Sequence, residues 1–475
     1  MPEGRLTKIV CTLGPSSTAE GIIEQMARAG MDVARLNFSH GTQAEHGQTI
    51  ERIRSVEARI GKPIAILQDL QGPKIRLGTF EGGGATLRRG QPIVLTTMPA
   101  QGTAARATIT YEGFARDVKP GDRVLIDDGR IALEVQDVQG EDVTCRVETG
   151  GLVQNHKGVN LPRTAVKVAA LTDKDRDDLA FGLRHGVDYV GVSFVRSAAD
   201  ILEAREFINE HRSDAQVVAK LERPEAIGRL DEILAAASAV MVARGDLGVE
   251  LPLEEVPIIQ KEIIRKARLT RSPVITATQM LESMVNSLRP TRAEVSDVAN
   301  AILDGTDAVM LSAESATGAY PVEAVRMLDR VIRRTEAAFP PASMDRPRRG
   351  EVSFPQAISD AAAFAAQELK ARAVVAFTQS GSTARLISQD RPPVPIIAFA
   401  PSDRVRRRLA LDWGVMPRLI RRLTTIDEMV AEVESILLAD RTVRYNDILI
   451  IVAGAPLWVR GTINLLKLHR VGEHR

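Results

Sequence analysis

Lys220 and Glu222 close one apolar run, Val218-Ala219-Lys220-Leu221-Glu222, and Asp246 closes another, Met241-Val242-Ala243-Arg244-Gly245-Asp246. Residues two apart on a strand share a face, so Lys220 and Glu222 point the same way. If the two runs are neighbouring strands, an ammonium and two carboxylates meet at their ends. Such a set suits a divalent ion beside a reactive anionic substrate: hard oxygen ligands for the metal, and a cation for charge that develops during reaction. An ion pair that merely caps two strands uses the same residue types, and these residues alone leave both readings open. A second group lies in ARLNFSHG, where Arg35, Asn37 and Ser39 alternate on one face and His40 opens the next turn. A guanidinium beside neutral oxygen donors suits a phosphoryl group and a small cation. Asp69 and Arg76 add a carboxylate and a second guanidinium. For any one of these residues a plain hydrogen-bond network at the sheet rim is an adequate account; for the set it is not.

Something must bring these groups together. Short β-branched runs at Lys8–Thr12, Asp32–Asn37, Ile64–Asp69, Tyr189–Phe194, Val217–Leu221, Ala239–Ala243, Val274–Ala277 and Ala308–Ser312 each read as a buried parallel strand. Helical stretches such as Ser17–Ala29, Glu254–Leu269 and Arg292–Asp304 alternate with them. Eight strands with helices between predict a closed (β/α)8 TIM barrel, and an open doubly wound sheet is the competing arrangement. Either one places Arg35, Asn37, Asp69, Lys220, Asp246, Thr278 and Glu314 at strand carboxyl ends, where chemistry is done. After Pro73 the cadence changes to period-2 segments at Gln91–Thr97, Arg123–Ile126, Ile131–Val138 and Asp142–Val147, which predict a small inserted β domain. Thr172, followed by Asp173 and Asp175, reads as a helix N-cap with an acidic first turn. The Pro- and Arg-rich stretch 339–353 reads as a linker. Beyond it Ala357–Leu369, Ala373–Phe377 and Thr383–Ser388 predict a separate α/β domain. The expected division is therefore a barrel from 1–72 and 167–338, an inserted small β-barrel domain at 73–166, the linker 339–353, and a C-terminal α/β domain at 354–475.

The 475 residues are too many for one core, and the 44% hydrophobic and 26% charged content is ordinary for a globular protein. A net charge of +1 argues against nucleic acid or an anionic membrane as partner. The opening MPEGRLTKIV lacks an apolar signal core and no segment reads as a membrane span, so a cytoplasmic location is expected. Cys11 and Cys145 stand alone, without metal-ligand spacing or a disulfide framework.

The stretches ARLNFSHG, DLQGPKIR, HKGVNLP, AKLERPEAI, MVARGDLGVE, TATQMLESM and RPTRAEVSDVANAILDGTDAVMLSAESATGAYP occur in this order. Together they resemble the pyruvate kinase family, over most of residues 5–330 by motif and over the C-terminal third by layout. The resemblance implies phosphoenolpyruvate and ADP as substrates and pyruvate and ATP as products. It implies that Glu222 and Asp246 hold Mg²⁺ (or Mn²⁺), that Lys220 meets the transferring phosphoryl group, and that Arg35 binds the same phosphate. Backbone N–H groups of Arg244, Gly245 and Asp246 would receive the substrate carboxylate, and Thr278 would help protonate the enolate. Asn37, Phe38, Ser39, His40, Arg76 and Lys157 would reach the nucleotide and its own divalent ion, Lys157 from the insertion acting as a lid that excludes water. Ser312 and Glu314 would lie where a proton relay could run. A homotetramer is also implied.

Many family members hold K⁺ near Asn37, Ser39, Asp69 and the carbonyl of residue 70, and carry an acidic residue where this chain has Lys74. Lys74 supplies a tethered ammonium and Leu70 lacks a side-chain hydroxyl, so the chain resembles the branch that does not require K⁺. In the C-terminal domain, a strand leads into Thr378, Ser380, Gly381, Ser382 and Thr383 and then a helix, an arrangement able to cradle phosphate. The family places phosphorylated effectors there; Arg385, the basic run Arg404–Arg408, and Trp458, Arg460 and Thr462 would be its neighbours. Such loops also cap helices with no ligand at all. A metal-dependent lyase or aldolase acting on a keto acid would need Glu222 and Asp246 but neither Lys157 nor a phosphoryl role for Lys220. A silent sensor would tolerate loss of Lys220, Glu222 or Asp246, and all three are present.

Overall fold

The computed structural model describes residues 4–162, 164, 168–339, 352–456, 459 and 462–473. Eight parallel strands, Lys8–Leu13, Val33–Asn37, Ala65–Asp69, Tyr189–Val192, Gln216–Leu221, Ala239–Ala243, Val274–Ala277 and Ala308–Leu311, close into a barrel. Each pairs with its sequence neighbours among the eight, and the first closes on the last through Lys8↔Ala308 to Cys11↔Leu311. The strands form because short runs of Val, Ile, Leu and Ala are covered on both faces, as a parallel sheet demands. Three of the helices around it begin at a threonine whose hydroxyl and following acid cap each other: Thr42 with Glu45, Thr172 with Asp175 and Thr291 with Glu294. Among the described residues no helix is long and apolar enough to cross a membrane.

The insertion carries a six-stranded sheet in the order Val159–Asn160, Arg123–Ile126, Ile131–Gln139, Asp142–Thr149, Pro92–Thr96, Arg106–Thr108. A two-stranded ribbon, Gly84–Leu87 with Gly151–Gln154, folds against the same core, so the whole curls into a small barrel-like body. The ribbon and the two shortest strands escape a period-2 reading, being only two to four residues long. The C-terminal domain is a five-stranded sheet ordered Val415–Leu419, Ile396–Ala400, Ala373–Phe377, Ile448–Ala453, Leu465–Arg470. Only its last strand is antiparallel. Separate apolar clusters cover its two faces.

The C-terminal domain meets the barrel at the amino ends of the strands, away from the site. Ala410 and Leu411 pack in one cluster with the barrel interior residues Val10, Leu67, Tyr189, Met241 and Met310. Polar bonds ring this contact: Tyr189 donates to the Arg408 carbonyl at 2.6 Å and Lys8 to the Val415 carbonyl at 2.6 Å. Arg391 and Gln389 both donate to Asp307 Oδ1, at 2.9 and 3.0 Å.

Candidate active site

Lys220 is the hub of the barrel's carboxyl-end rim. Its Nζ lies 2.8 Å from Glu222 Oε1, 3.1 Å from Asp69 Oδ1 and 2.6 Å from Ser193 Oγ. Strand five therefore delivers Lys220 and Glu222 to one face, as their spacing requires, while strand three delivers Asp69 and the end of strand four delivers Ser193. Burial works against the Lys220 ammonium, yet Asp69 and Glu222 outweigh it, Arg35 opposes them, Asp246 adds to them, and its pKa is raised. Burial likewise pushes Asp69 up, but Lys220 and Arg35 override it and hold that carboxyl below its usual range. Glu222 goes the other way: burial raises it, Lys220 offsets only part, and Asp246 raises it further. Three carboxylates, Asp69, Glu222 and Asp246, thus act on Lys220, and Arg35 is bonded to the first of them. Glu222 and Asp246 bring to this rim carboxylate oxygens of the kind a hard divalent cation takes. Among the described residues no group of three or more His, Cys, Asp or Glu side chains forms a closed metal cage.

Arg35 completes the hub, with Nε and Nη2 both 2.6 Å from Asp69 Oδ2 and Nη1 2.8 Å from Thr12 Oγ1. Glu222 is fixed at its other oxygen by the Phe194 N–H at 2.8 Å, and Phe194 takes a left-handed φ of 55° to present it. Asp246 stands in the first turn of the helix Arg244–Glu250 and lines a cleft of about 530 Å³, open solvent included, between barrel and insertion. The neighbouring Gly245 N–H donates to Thr278 Oγ1 at 2.8 Å. Thr278 and Gln279 hold successive φ values of 67° and 55°, strained for a β-branched residue. The Arg244 side chain supports that strain: it donates to the Thr278 carbonyl at 2.6 Å and pairs with Asp297 at 2.8 Å. Any contact of Arg244 with substrate is therefore left to its backbone. Glu314 spends its oxygens on the Leu281 and Ser312 N–H groups, at 3.0 and 2.7 Å, and braces the eighth strand's end.

The nucleotide candidates form a looser set. Asn37 Oδ1 accepts from the Ser39 N–H at 3.1 Å, which folds the turn. Phe38 is buried, its ring stacked 4.0 Å from His46, so the ring does not face the cleft. His40 is exposed; partial burial and then the charges of Arg76, Lys74 and Arg35 lower its pKa, which places all three cations around one turn. Arg76 donates to the His156 carbonyl at 3.1 Å, and Lys157 pairs with Asp127 at 2.8 Å, both within the insertion. Lys74 lines the cleft with Asp246. The Leu70 carbonyl accepts from Ser193 Oγ at 2.8 Å.

In the C-terminal domain, Thr378 Oγ1 accepts from the Gly381 N–H at 2.9 Å and Ser380 Oγ meets Ser382 Oγ at 3.2 Å. Thr378 and Thr383 are buried, Ser380 and Ser382 exposed. Gly381 has φ 97°, and a Cβ there would lie 3.4 Å from Leu409. The basic side chains expected beside this loop turn elsewhere. Arg385 pairs with Asp412, Arg404 and Arg408 with Asp214, Arg406 with Asp403 and Glu57, and Arg407 with Asp188. Of the carboxylates that hold them, Glu57 and Asp188 are buried on the barrel, Asp214 is exposed on the barrel, and Asp412 is buried in the C-terminal domain itself. Thr462 Oγ1 donates to the Val459 carbonyl at 2.9 Å, while Trp458 and Arg460 lie outside the described residues.

Sequence reasoning passed over Ser193 and Thr12, the hydroxyls that orient Lys220 and Arg35. Each is a lone polar side chain near the end of an apolar run, GVSFV and KIVCTL, and that was the available signal.

Two family models match: the pyruvate kinase barrel domain over residues 4–325 and the pyruvate kinase alpha/beta domain over residues 356–469. The chain is 46% identical to a pyruvate kinase of Mycobacterium tuberculosis over 473 residues, covering 99% of each chain. It is 44% identical to one from Geobacillus stearothermophilus over 474 residues, covering 99% of this chain and 81% of that protein. A crystal structure of a pyruvate kinase from Cryptosporidium parvum superposes with a TM-score of 0.93 at 35% identity, over 98% of this chain and 96% of that one.

Proposed function

The chain belongs to the pyruvate kinase family of phosphotransferases, and from that premise we propose that it moves the phosphoryl group of phosphoenolpyruvate to ADP, giving pyruvate and ATP. The observation that carries the reading is the meeting of Lys220, Glu222 and Asp246 at adjacent strand ends. Phosphoryl transfer asks for positioning and for positive charge at fixed places more than for covalent chemistry. Lys220, held charged by three acids, neutralises oxygens of the moving phosphoryl group, and Arg35 binds that group from the second strand. Backbone N–H groups at Arg244–Asp246 take the substrate carboxylate. Thr278 Oγ1, which accepts from Gly245 N–H at 2.8 Å, keeps that place for the carboxylate and is released by it toward the enolate. Glu222 and Asp246 hold Mg²⁺ or Mn²⁺, which when bound supplies positive charge for the enolate oxygen. Asn37, Ser39, His40, Arg76 and Lys157 lie on the ADP side, with the insertion as a lid that keeps water out.

Activity does not depend on K⁺ in this reading. Lys74 brings a fixed positive charge to the turn that Arg35, Arg76 and His40 share, and the residue-70 carbonyl is already bonded to Ser193. Allosteric control runs through Thr378–Thr383, whose exposed Ser380 and Ser382 offer hydroxyls at a helix start to a phosphorylated metabolite. The exposed apolar Phe354, Phe364 and Leu468 favour association of copies into a homotetramer, and the enzyme works in the cytoplasm. The deciding experiment is an ADP-dependent assay of pyruvate release from phosphoenolpyruvate, run in Na⁺ and in K⁺ and with a panel of phosphorylated metabolites. Release of pyruvate without ATP formation would overturn the phosphotransferase; a rate that collapses without K⁺ would overturn the role of Lys74.

A further inference from the structure

The insertion reaches the barrel through a side-chain hydrogen bond made by residues given no role above. Asn160, on the two-residue strand Val159–Asn160, donates Nδ2–H to Glu250 Oε1 at 2.9 Å. The same oxygen accepts from Arg223 Nη1 at 3.0 Å, and Arg223 also donates to the Thr164 carbonyl at 3.2 Å. Glu250 and Arg223 are both buried. Their places in the chain matter: Glu250 ends the short helix whose first turn carries Asp246, and Arg223 directly follows Glu222. Asn160, Arg223 and Asp246 line the cleft between barrel and insertion described above.

We propose that Glu250 is a positioning residue that latches the lid shut through Asn160, and that with Arg223 it ties lid closure to the placement of Glu222 and Asp246. This rests on reading the insertion as a lid over the nucleotide. The bond suits a latch because it is strong enough to bias closure and weak enough to open. Glu250 uses one oxygen twice, and among the described residues its Oε2 has no partner, so the buried carboxylate is only half satisfied. Burial raises its pKa, with Arg223 and then Asn160 pulling the other way. When Asn160 leaves, Arg223 still balances the charge, so opening does not strand a bare buried ion. One hydrogen bond to a charged acceptor then sets a closed-to-open ratio of about ten-fold.

The test uses the full chain with dyes on cysteines introduced at two exposed positions, Gln136→Cys on the insertion and Glu210→Cys on the barrel. The native Cys11 and Cys145 are buried. Asn160→Ala should lower the closed-to-open ratio seen by single-molecule energy transfer about ten-fold, taking the open fraction from about 9% to about 50% and raising KM for ADP about two-fold. KM for phosphoenolpyruvate, whose groups lie on the barrel, should move far less. Exchanging the partners' chemistry, Asn160→Asp together with Glu250→Gln, should bring the open fraction and KM for ADP back to wild-type values or below, because the new amide donates to the new carboxylate and Arg223 then relies on the carboxylate at position 160 for its countercharge. An unchanged distance distribution in Asn160→Ala overturns the proposal, as does a change in KM that the exchange fails to restore. If Glu250→Gln alone does not fold, Asn160→Ala and Asn160→Ser still decide the question. Should the wild type transfer no phosphoryl group, the assigned reaction falls, while the dye distances test the latch regardless.

Discussion

Replacing Lys220 by methionine keeps the apolar stem and removes only the charge. Asp69, Glu222 and Asp246 would then face Arg35 alone, and Glu222, already raised by burial, is the group to take up a proton. Protonating an ordinary glutamate with a pKa of about 4.3 at pH 7 costs about 3.7 kcal/mol, from about 1.4 kcal/mol per unit. That figure caps the stability lost at pH 7, and the same arithmetic leaves about 1 kcal/mol at pH 5. The sign follows from a folded-state pKa above the unfolded one: the stability is whole below the unfolded pKa and is lost as pH rises toward the folded value. The melting temperature of Lys220→Met should therefore fall further below that of wild type at pH 7 than at pH 5. Turnover should drop by roughly a thousand-fold, the usual effect of deleting one preorganised charge at a reacting group. KM for phosphoenolpyruvate should change by less than about ten-fold, since Arg35 and the backbone donors remain. A coupled assay of ADP-dependent pyruvate formation measures both. Wild-type turnover in this variant would refute the phosphoryl role, and a melting deficit equal at the two pH values would refute uptake of a proton by Glu222.

Asp246→Asn turns one of two candidate metal-binding carboxylates into a neutral amide and should weaken Mn²⁺ binding at least ten-fold, read by calorimetry or magnetic resonance on the protein without substrate. Lys74→Glu should make turnover dependent on K⁺, whereas the wild type should run equally fast in Na⁺; equal rates for the variant in both salts would count against the tethered charge. Asp307→Ala strips Arg391 and Gln389 of a shared acceptor and leaves a buried guanidinium unpaired, so unfolding should become easier by about 3–5 kcal/mol, checked by denaturant melts.

The barrel was legible because its strands are short, apolar and β-branched, a pattern few other elements share. Val274–Ala277 and Ala239–Ala243 have the ends their composition suggests. The meeting of Lys220 and Glu222 followed from a period of two, and the approach of Asp246 from the adjacency of consecutive strands in such a barrel. What hid were groups defined only by who sits opposite. Ser193 and Thr12 look like incidental hydroxyls until Lys220 and Arg35 are seen to point at them. The destinations of Arg404, Arg407 and Arg408 were equally invisible, since their acidic partners Asp188 and Asp214 are far away in sequence. Glu250 and Asn160 are ninety residues apart and belong to different layers, so no local pattern joins them.

The barrel is not a self-contained vessel. Ala410 and Leu411 act as its stopper, filling space against Tyr189, Met241 and Met310. A shortened protein ending near residue 339 would uncork that apolar interior, leave the Tyr189 hydroxyl without Arg408, and set Asp307 and Lys8 facing water. Truncation would thus yield a sticky, weakened barrel rather than a sound, free-standing one.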